Sequence, residues 1–451
     1  MTKLTKTLLG GVALLALLAA GCSLDTPDPA TLADVEQPEG AEYFANYVAI
    51  GNSLTSGFMD AGLVTNGQVN SYPQLLASVM GAKAYTFQQP LIAFPGIGSS
   101  STGDPSLVAG VLHFDGAGIS LAGTTALADV QSTLLLAAAW PVPYNNLGVP
   151  GATTLDVTSA LGSGSSQSPG NSYFDFILRN PSFGDVSMIN QAIALGPKLI
   201  TCWIGNNDIL GGATGGEPEV GINITPTAEF NAMFTDILDG LTVGVTDRYG
   251  YEPAIFVGNV PGIASAPYFV PKALFDVMAG NPIPTEETAV YVRFPALGYL
   301  AAGGPVPLPP EWTLDAGEVG VVDTAVTEFN AAIAAAVAAR DNVWLYDANT
   351  VLAGLDPNTE AAHFLALVGT LGIETAAATT YFSLDGIHPN NRGYALVANG
   401  FSAVINGALG TALPQIDIGD ITWDPTYDML PKQGGPLLDS RAAAAMDAVF
   451  R

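Results

Sequence analysis

Asp385 and His388 lie three residues apart in the segment LDGIHPN, and together they can form a general base. A serine hydroxyl is a weak nucleophile near neutral pH, so it needs a base that a third group, usually a carboxylate, holds in place. The spacing, on a loop bounded by glycine and proline, lets the carboxylate reach one ring nitrogen while the other nitrogen faces a serine. The pair therefore predicts acyl-transfer chemistry if a suitable serine lies nearby.

The chain has only 3 histidines, which narrows the choice of base. His113 has no carboxylate three residues before it. His363 follows Glu360 at the same spacing, but within a segment, 359–369, that the pattern predicts to be helical. We interpret His363 as a surface or packing residue and take His388 as the base.

Ser53 is the candidate nucleophile. It lies in the sequence GNSLTSG, directly after a short apolar run over 44–50 that predicts a buried strand. A serine at the carboxyl end of such a strand faces the crevice where open α/β sheets bind ligands. The backbone N–H groups of that turn can also help to hold an oxyanion. Taken alone, the motif is more typical of a turn or N-cap serine.

Two further segments can supply oxyanion donors. In NLGVPGAT, which follows a possible short strand, Gly151 lets a backbone N–H approach a substrate without an intervening Cβ. In IGNND, which follows the predicted strand 198–204, the side-chain amide of an asparagine such as Asn207 can enter the same crevice. Either segment alone is equally consistent with an ordinary turn.

The elements that must position these residues alternate along the chain. Apolar runs predict strands, helical periodicity lies between them, and this alternation indicates a parallel sheet covered on both faces. The predicted strands are 44–50, 198–204, 254–260 and 343–346, and the predicted helices are 72–80, 226–241, 322–339 and 392–409. The helix that ends in 332–339 consists there almost entirely of Ala, Ile and Val, so we expect it to be well buried.

Two regions break the alternation, 93–142 and 261–317. Both are too long for structureless loops in a compact domain, so we interpret them as insertions with structure of their own. We expect them to pack over the edge of the sheet that carries the candidate site. Near the C-terminus, 416–428 carries four aspartates, which favours a solvated acidic loop; calcium is the alternative, although the spacing does not match an EF-hand.

The first 21 residues have a short basic start, an apolar run and small residues before Cys22, which is typical of an export signal. The sequence LAAGC resembles a bacterial lipobox and implies acylation of Cys22, with a plain signal peptide as the alternative. No Asp follows the cysteine directly, which resembles the outer-membrane pattern. Residues 22–42 then predict a flexible tether. The other cysteine, Cys202, lies in an apolar run and is interpreted as a core thiol rather than a catalytic one.

The composition excludes some partners. The chain has 451 residues, 13 basic against 41 acidic side chains and a net charge of −28. Such a charge repels nucleic acid and does not favour adsorption to anionic lipid through a basic patch. We therefore expect no nucleic-acid partner, a membrane association through the N-terminal anchor only, and a monomer.

Four motifs in order, GNSLT, NLGVPGAT, GNND and DGIHP, resemble those of the SGNH (GDSL) hydrolases. The resemblance implies a flavodoxin-like three-layer α/β/α sandwich with a parallel central sheet, over 43–451, and ester hydrolysis without a metal or cofactor. It makes Ser53 the nucleophile and a backbone donor, Gly151 and Asn207 the other oxyanion donors, His388 the base and Asp385 its orienter. The α/β-hydrolase fold is excluded because its GxSxG elbow is absent from the sequence.

The chain departs from the family pattern in two ways. The usual Asp before the nucleophile is Asn52, which is not a proton-transfer position. The motifs are also far apart, so we expect the two insertions to determine the substrate. If their apolar segments, 107–112, 134–136, 268–270 and 299–300, line the crevice, lipid or medium- to long-chain acyl esters would fit; the alternative is that these segments pack the cores of the insertions. The alternatives are a carbohydrate O-acetyl esterase, an acyltransferase, and a non-catalytic binding protein anchored at the surface.

Overall fold

A parallel sheet of five strands forms the centre of the computed structural model, which describes residues 41–81, 87–99, 104, 106–168, 170–180, 182–356, 359–360, 365, 372–427 and 438–448. The strands are β1 (Val48–Gly51), β2 (Asn146–Gly148), β3 (Leu199–Trp203), β4 (Ala254–Gly258) and β5 (Val343–Tyr346). Their order across the sheet is β5-β4-β3-β1-β2, and every neighbouring pair is parallel. This is the flavodoxin-like order 2-1-3-4-5, so the predicted fold is confirmed.

The central strands are short apolar runs because both of their faces are covered. All five residues of β3 are buried, and their side chains alternate between two cores. Ile200 and Cys202 belong to one core, whereas Leu199 and Trp203 belong to the core on the opposite face. Successive side chains of a strand point to opposite faces of the sheet, so an entirely buried strand packs against the helices on both faces.

Helices form the two outer layers. On one face the core includes residues of Thr154–Ser159, Met188–Ala194, Asn207–Gly215, Thr227–Tyr249 and Ala316–Ala338. On the other face it includes residues of Tyr72–Val79 and Asn391–Leu409. The remaining described helices are short: Ala41–Phe44, Ser53–Ser56, Thr65–Val69, Val130–Thr133, Tyr173–Leu178, Lys272–Met278, Ala296–Ala301, Ala348–Ala353, Ile373–Thr379 and Ser440–Ala448.

The helix Ala316–Ala338 begins earlier than predicted and is less buried. The carboxylate of Asp315 accepts a hydrogen bond from the N–H of Glu318, and the carboxylate of Glu318 accepts one from the N–H of Asp315, so a capping box starts the helix. Residues such as Phe329 and Ile333 face the core, but most of its alanines lie on the outer side. The expectation of a well-buried helix was therefore wrong. By length and composition alone this helix could cross a bilayer; here one face packs into the core beside the sheet.

The two insertions carry structure of their own and share a third core. The first contains the strand pairs Leu107–Ala109 with Thr124–Ala126 and Leu112–Phe114 with Ile119–Leu121. The second contains an antiparallel sheet of Phe269–Pro271, Ala289–Arg293 and Thr313–Asp315. A further short pair joins Gly62–Leu63 to Ile97–Gly98. The shared core takes side chains from both insertions and from the C-terminal segment, which is the part of the chain after residue 409: Leu112, Phe114, Phe275, Val292, Trp423 and Met446. It also includes Met59, close to the motif of Ser53, and Leu384, next to Asp385.

Candidate active site

Ser53 begins a four-residue helix directly behind β1. Asn52 is the N-cap, and its Oδ1 accepts a hydrogen bond of 3.0 Å from the N–H of Leu54. Gly57 ends the helix in the left-handed conformation, with φ of 79°, and a Cβ there would come within 2.8 Å of Gln68 and Ser71. This tight turn holds Ser53 at the carboxyl edge of the sheet, nearly buried at 7% exposure.

Asp385 is fully buried and holds His388 from several directions. Its Oδ2 lies 3.0 Å from Nδ1 of His388 and also accepts the N–H of Ala61 at 2.8 Å. Its Oδ1 accepts the backbone N–H groups of Ile387 and His388. Burial by itself raises the pKa of Asp385, but the nearby imidazole and these hydrogen bonds outweigh burial, so the pKa lies below the ordinary value. The carboxylate is thus charged near neutral pH and directs Nε2 of His388 away from itself.

Ser53 and His388 line the same cavity, a small one of about 80 Å³. Its other walls are almost entirely apolar, with Ile263, Phe269 and Ile387 among them. The structure therefore brings together Ser53 and His388, the two residues that the sequence predicts to act as nucleophile and base.

Gly151 and Asn207, the candidate oxyanion donors, also lie close to Ser53. Gly151 follows β2 with φ of 80°, and a Cβ there would lie 2.8 Å from Nδ2 of Asn171, so a side chain would be strained. Nδ2 of Asn207 donates to the carbonyl of Ala152 at 2.8 Å, which leaves its second hydrogen for a substrate. Ser53, Gly151 and Asn207 all line one larger cavity of about 370 Å³. The sequence predicted that the motif at 146–153 follows a short strand. Instead, the first three residues of the motif, Asn146–Gly148, themselves form β2.

Asp208 ties the two oxyanion segments together, a role that the sequence did not reveal. Its Oδ2 accepts both the N–H and the hydroxyl of Thr154, at 2.8 and 2.9 Å, and its Oδ1 accepts the hydroxyl of Thr225. Burial raises the pKa of Asp208 to about 6, although these hydrogen bonds oppose the rise. The signal available was only its place after Asn207 in the motif GNND.

Asn52, the departure from the family pattern, forms a neutral pair. Its Nδ2 donates to Oδ1 of Asn206 at 3.0 Å while its Oδ1 caps the Ser53 helix. Both side chains are amides, so no charge is placed beside the nucleophile.

The larger cavity is polar and carries no charged side chain among its described walls. Hydroxyl and amide groups dominate its lining: Ser99, Thr153, Ser168, Asn171, Ser172 and Tyr173. A volume of about 370 Å³ is within the range of small-molecule pockets. The site therefore consists of a roomy polar cleft and a small apolar cavity that meet at Ser53.

The other candidates lie away from this site. Cys202 is buried in β3, and burial raises the pKa of its thiol to about 12, so it is a core residue as predicted. His113 lies in the first insertion, where its Nδ1 is 3.2 Å from the carbonyl of Ser120. Asp417 and Asp424 accept hydrogen bonds within their own turns, as expected of an acidic loop. Cys22, His363 and Asp428 lie outside the described residues.

Among the described residues, three carboxylates could approach one cation: Glu287, Asp315 and Glu318. Two of them already form the capping box of the long helix, and the hydroxyl of Thr313 donates to Glu287. We therefore assign no metal to this cluster.

A buried Asp–His pair and a serine that line one cavity at the carboxyl edge of a flavodoxin-like sheet are typical of a hydrolase of the α/β sandwich class. The family model for the GDSL-like Lipase/Acylhydrolase family matches residues 47–401 of the chain. The chain belongs to this family, which confirms the resemblance inferred from the four motifs. No curated protein matches the sequence.

Proposed function

We propose that this protein hydrolyses carboxylic esters through an acyl-enzyme on Ser53. The observation that carries the proposal is the buried pair of Asp385 and His388, whose imidazole lines the same cavity as the serine. Gly151 and Asn207 line the adjoining cavity around the same serine, where a developing oxyanion needs donors.

In the first half of the reaction, Nε2 of His388 takes the proton of the Ser53 hydroxyl as Oγ attacks the ester carbonyl. The carbonyl oxygen becomes an oxyanion held by the N–H groups of Ser53 and Gly151 and by the amide of Asn207. As the C–O bond of the alcohol breaks, the imidazolium gives its proton to the leaving oxygen. Water then attacks the acyl-serine with the same base and restores the free hydroxyl.

Replacement of Ser53 by alanine tests this mechanism. We expect Ser53→Ala to lose hydrolysis of a 4-nitrophenyl ester and labelling by a fluorophosphonate probe. Ser56→Ala is a matched control, because Ser56 is also buried in this helix and its hydroxyl donates to the backbone carbonyl of Ser53. Full activity of the Ser53 variant would contradict the proposal, and a wild-type chain that neither hydrolyses esters nor labels would favour the non-catalytic alternative.

For the substrate, we propose a short-chain acyl ester of a hydroxyl-rich alcohol rather than a long-chain lipid. Of the apolar segments expected to hold a long chain, only Phe269 is among the described walls of either cavity, while side chains such as Leu112 and Leu134 fill cores. The apolar cavity is the smaller of the two, at about 80 Å³ against about 370 Å³ for the polar cleft. The neutral polar cleft suits hydroxyl groups, as in a carbohydrate.

A series of 4-nitrophenyl esters from acetate to decanoate measures the acyl preference. We expect kcat/KM to fall beyond butyrate, and an acetylated oligosaccharide to be a better substrate than a triglyceride. Preference for octanoate or a longer acyl chain would contradict the short-chain proposal and would favour a lipase. Adding an alcohol acceptor and measuring the new ester separates hydrolysis from acyl transfer.

We also propose that the mature chain starts at an acylated Cys22 and is anchored to the bacterial cell envelope, in the outer membrane. The support is the sequence LAAGC after a basic and apolar start, without an Asp after the cysteine. Metabolic labelling with an alkynyl fatty acid should modify the wild type and not Cys22→Ser, and membrane fractionation should place the label in the outer membrane. Label on the Cys22 variant would contradict the assignment.

A further inference from the structure

A tight turn at Asp60 and Ala61 lies against the loop 383–388, which carries Asp385 and His388 and is called the catalytic loop below. Met59 and Gly62 exchange backbone hydrogen bonds of 3.0 and 3.2 Å across it. Both central residues are left-handed, with φ of 55° at Asp60 and 57° at Ala61. This is the pattern of a type I′ turn, in which asparagine, aspartate and glycine are preferred. Asp60 suits its position, whereas Ala61 is unfavourable in the left-handed conformation, so contacts outside the turn help to stabilise it.

The backbone of this turn holds the catalytic carboxylate. The N–H of Ala61 donates to Oδ2 of Asp385, the same oxygen that receives Nδ1 of His388. The N–H of Asp60 donates to the hydroxyl of Ser383 at 3.1 Å. The turn therefore fixes both the oxygen that orients the base and the loop that carries it.

The side chain of Asp60 joins this loop to the C-terminal segment. Its Oδ1 accepts the N–H of Leu384 at 2.9 Å, and its Oδ2 accepts the hydroxyl of Tyr427 at 2.8 Å. Tyr427 lies beyond residue 401, where the family match ends. The same segment is bound to the helix behind the catalytic loop, since Asn391 donates to the carbonyl of Thr422.

Asp60 is fully buried, and no cation is among the described partners of its carboxyl group. Burial raises its pKa to about 7, with the charge of Asp385 adding to the rise. A buried carboxyl group without a cation is destabilising unless its oxygens are hydrogen-bonded. Here the donors that bond it belong to the catalytic loop and the C-terminal segment, so its contacts connect these two parts.

We propose that Asp60 is a positioning residue for Asp385, and that Tyr427 makes the C-terminal segment a part of the active-site support. The inference rests on the proposed function, because it assigns Asp385 the role of orienting a base. Asp60 touches no reacting atom; it acts through Leu384 and through the turn that binds Asp385.

Asp60→Ala and Tyr427→Phe remove contacts of the Asp60 carboxyl group, and Asp60→Asn conserves its contact with Leu384. We expect Asp60→Ala to lower kcat about 10²-fold, the size of effect known for a small misplacement of catalytic groups, with KM changed less than twofold. Tyr427→Phe, which removes only the hydroxyl, should lower kcat by about tenfold. Asp60→Asn keeps an oxygen for Leu384 and should retain most of the activity. Asp315→Ala is the control for stability, because it removes a helix cap in the second insertion.

A spectroscopic readout separates positioning from stability and needs no substrate. The proton between Nδ1 of His388 and Asp385 should give a downfield ¹H NMR signal in the full chain. We expect Asp60→Ala and Tyr427→Phe to shift or broaden it, and Asp60→Asn and Asp315→Ala to keep it. An unchanged signal and unchanged kcat in Asp60→Ala and Tyr427→Phe would overturn the inference, as would an equal loss in Asp315→Ala. Absence of ester hydrolysis in the wild type would instead reject the proposed function, with the signal still testing Asp60.

Discussion

The ring of Phe58 packs against the imidazole of His388, with centroids 4.5 Å apart and planes tilted by 49°. The N–H of Phe58 donates to the carbonyl of Ser53, and its own carbonyl accepts the hydroxyl of Tyr394 at 2.6 Å. Phe58 thus contacts both the helix of Ser53 and the proposed base. We therefore expect the orientation of the imidazole relative to Ser53 to depend on this contact as well as on Asp385.

Truncation of Phe58 should therefore affect the rate as well as the stability. We expect Phe58→Ala to lower the stability by about 3–5 kcal/mol, as for other buried phenylalanines, and kcat by at least tenfold because the imidazole gains freedom. Phe58→Leu, which fills more of the space, should lose less of both. Thermal unfolding and steady-state kinetics measure the two effects. A normal kcat in the folded alanine variant would show that Asp385 alone orients the base.

Removal of the Asn207 amide should slow the chemical step. We expect Asn207→Ala to lower kcat by about 10²–10³-fold, the usual effect of losing one oxyanion donor, with little change in KM. Asn342→Ala is a matched control. The side chain of Asn342 donates hydrogen bonds to Thr242 and Pro253. It lies directly before β5, at the amino ends of the parallel strands, whereas Asn207 lies at their carboxyl ends. Equal losses in the two variants would argue against an oxyanion role for Asn207.

Restoring the family's usual residue at position 52 should reduce activity in this chain. Asn52→Asp places a carboxylate where an amide now donates to Oδ1 of Asn206, and the added negative charge opposes the oxyanion beside it. We expect kcat/KM at neutral pH to fall by about tenfold, the equivalent of 1.4 kcal/mol. Asn52→Ser keeps a helix cap without a charge and should lose less. Higher activity in the aspartate variant would reject this electrostatic account.

Asp60 should make stability depend on pH. The unfolded chain loses this proton near pH 4, whereas the folded chain keeps it to about pH 7, so the folded state binds more protons in between. The resulting stabilisation is fully present below pH 4 and is lost as the pH rises through 7, by up to about 4 kcal/mol. The groups that face Asp60 are Asp385, Tyr394 and Tyr427.

Urea unfolding of the wild type and Asp60→Asn at pH 5 and pH 8 measures this dependence. The variant has no carboxyl group to titrate here, so its stability relative to the wild type should rise between the two pH values. Other carboxyl groups with a raised pKa, such as that of Asp208, are present in both chains, so their contributions cancel in the comparison. An equal difference at both pH values would contradict the prediction.

The sequence predicted what short motifs and apolar runs encode. Ser53 and the pair of Asp385 and His388 each lie within a few residues of the turn that positions them, and β3 to β5 are continuous apolar runs. Other features have no local signal. β2 has only three residues, and the capping box at Asp315 starts its helix before the apolar periodicity begins.

Long-range contacts explain the rest of what was missed. Leu384 and Asp60 are 324 residues apart, and nothing in either segment alone indicates that a carboxyl group will meet that N–H. The apolar residues of the insertions left two interpretations open, because composition does not distinguish a pocket wall from a core. Leu112 and Leu134 fill cores because the insertions need hydrophobic interiors of their own.

The third core joins both insertions and the C-terminal helix to Met59 and Leu384, one beside each catalytic motif. A mutation deep in either insertion can therefore alter turnover without approaching the substrate. Chimeras that exchange one insertion between relatives would leave half of a matched interior behind. New specificities in such a scaffold should be obtained by transferring both insertions and the C-terminal segment together as a cassette.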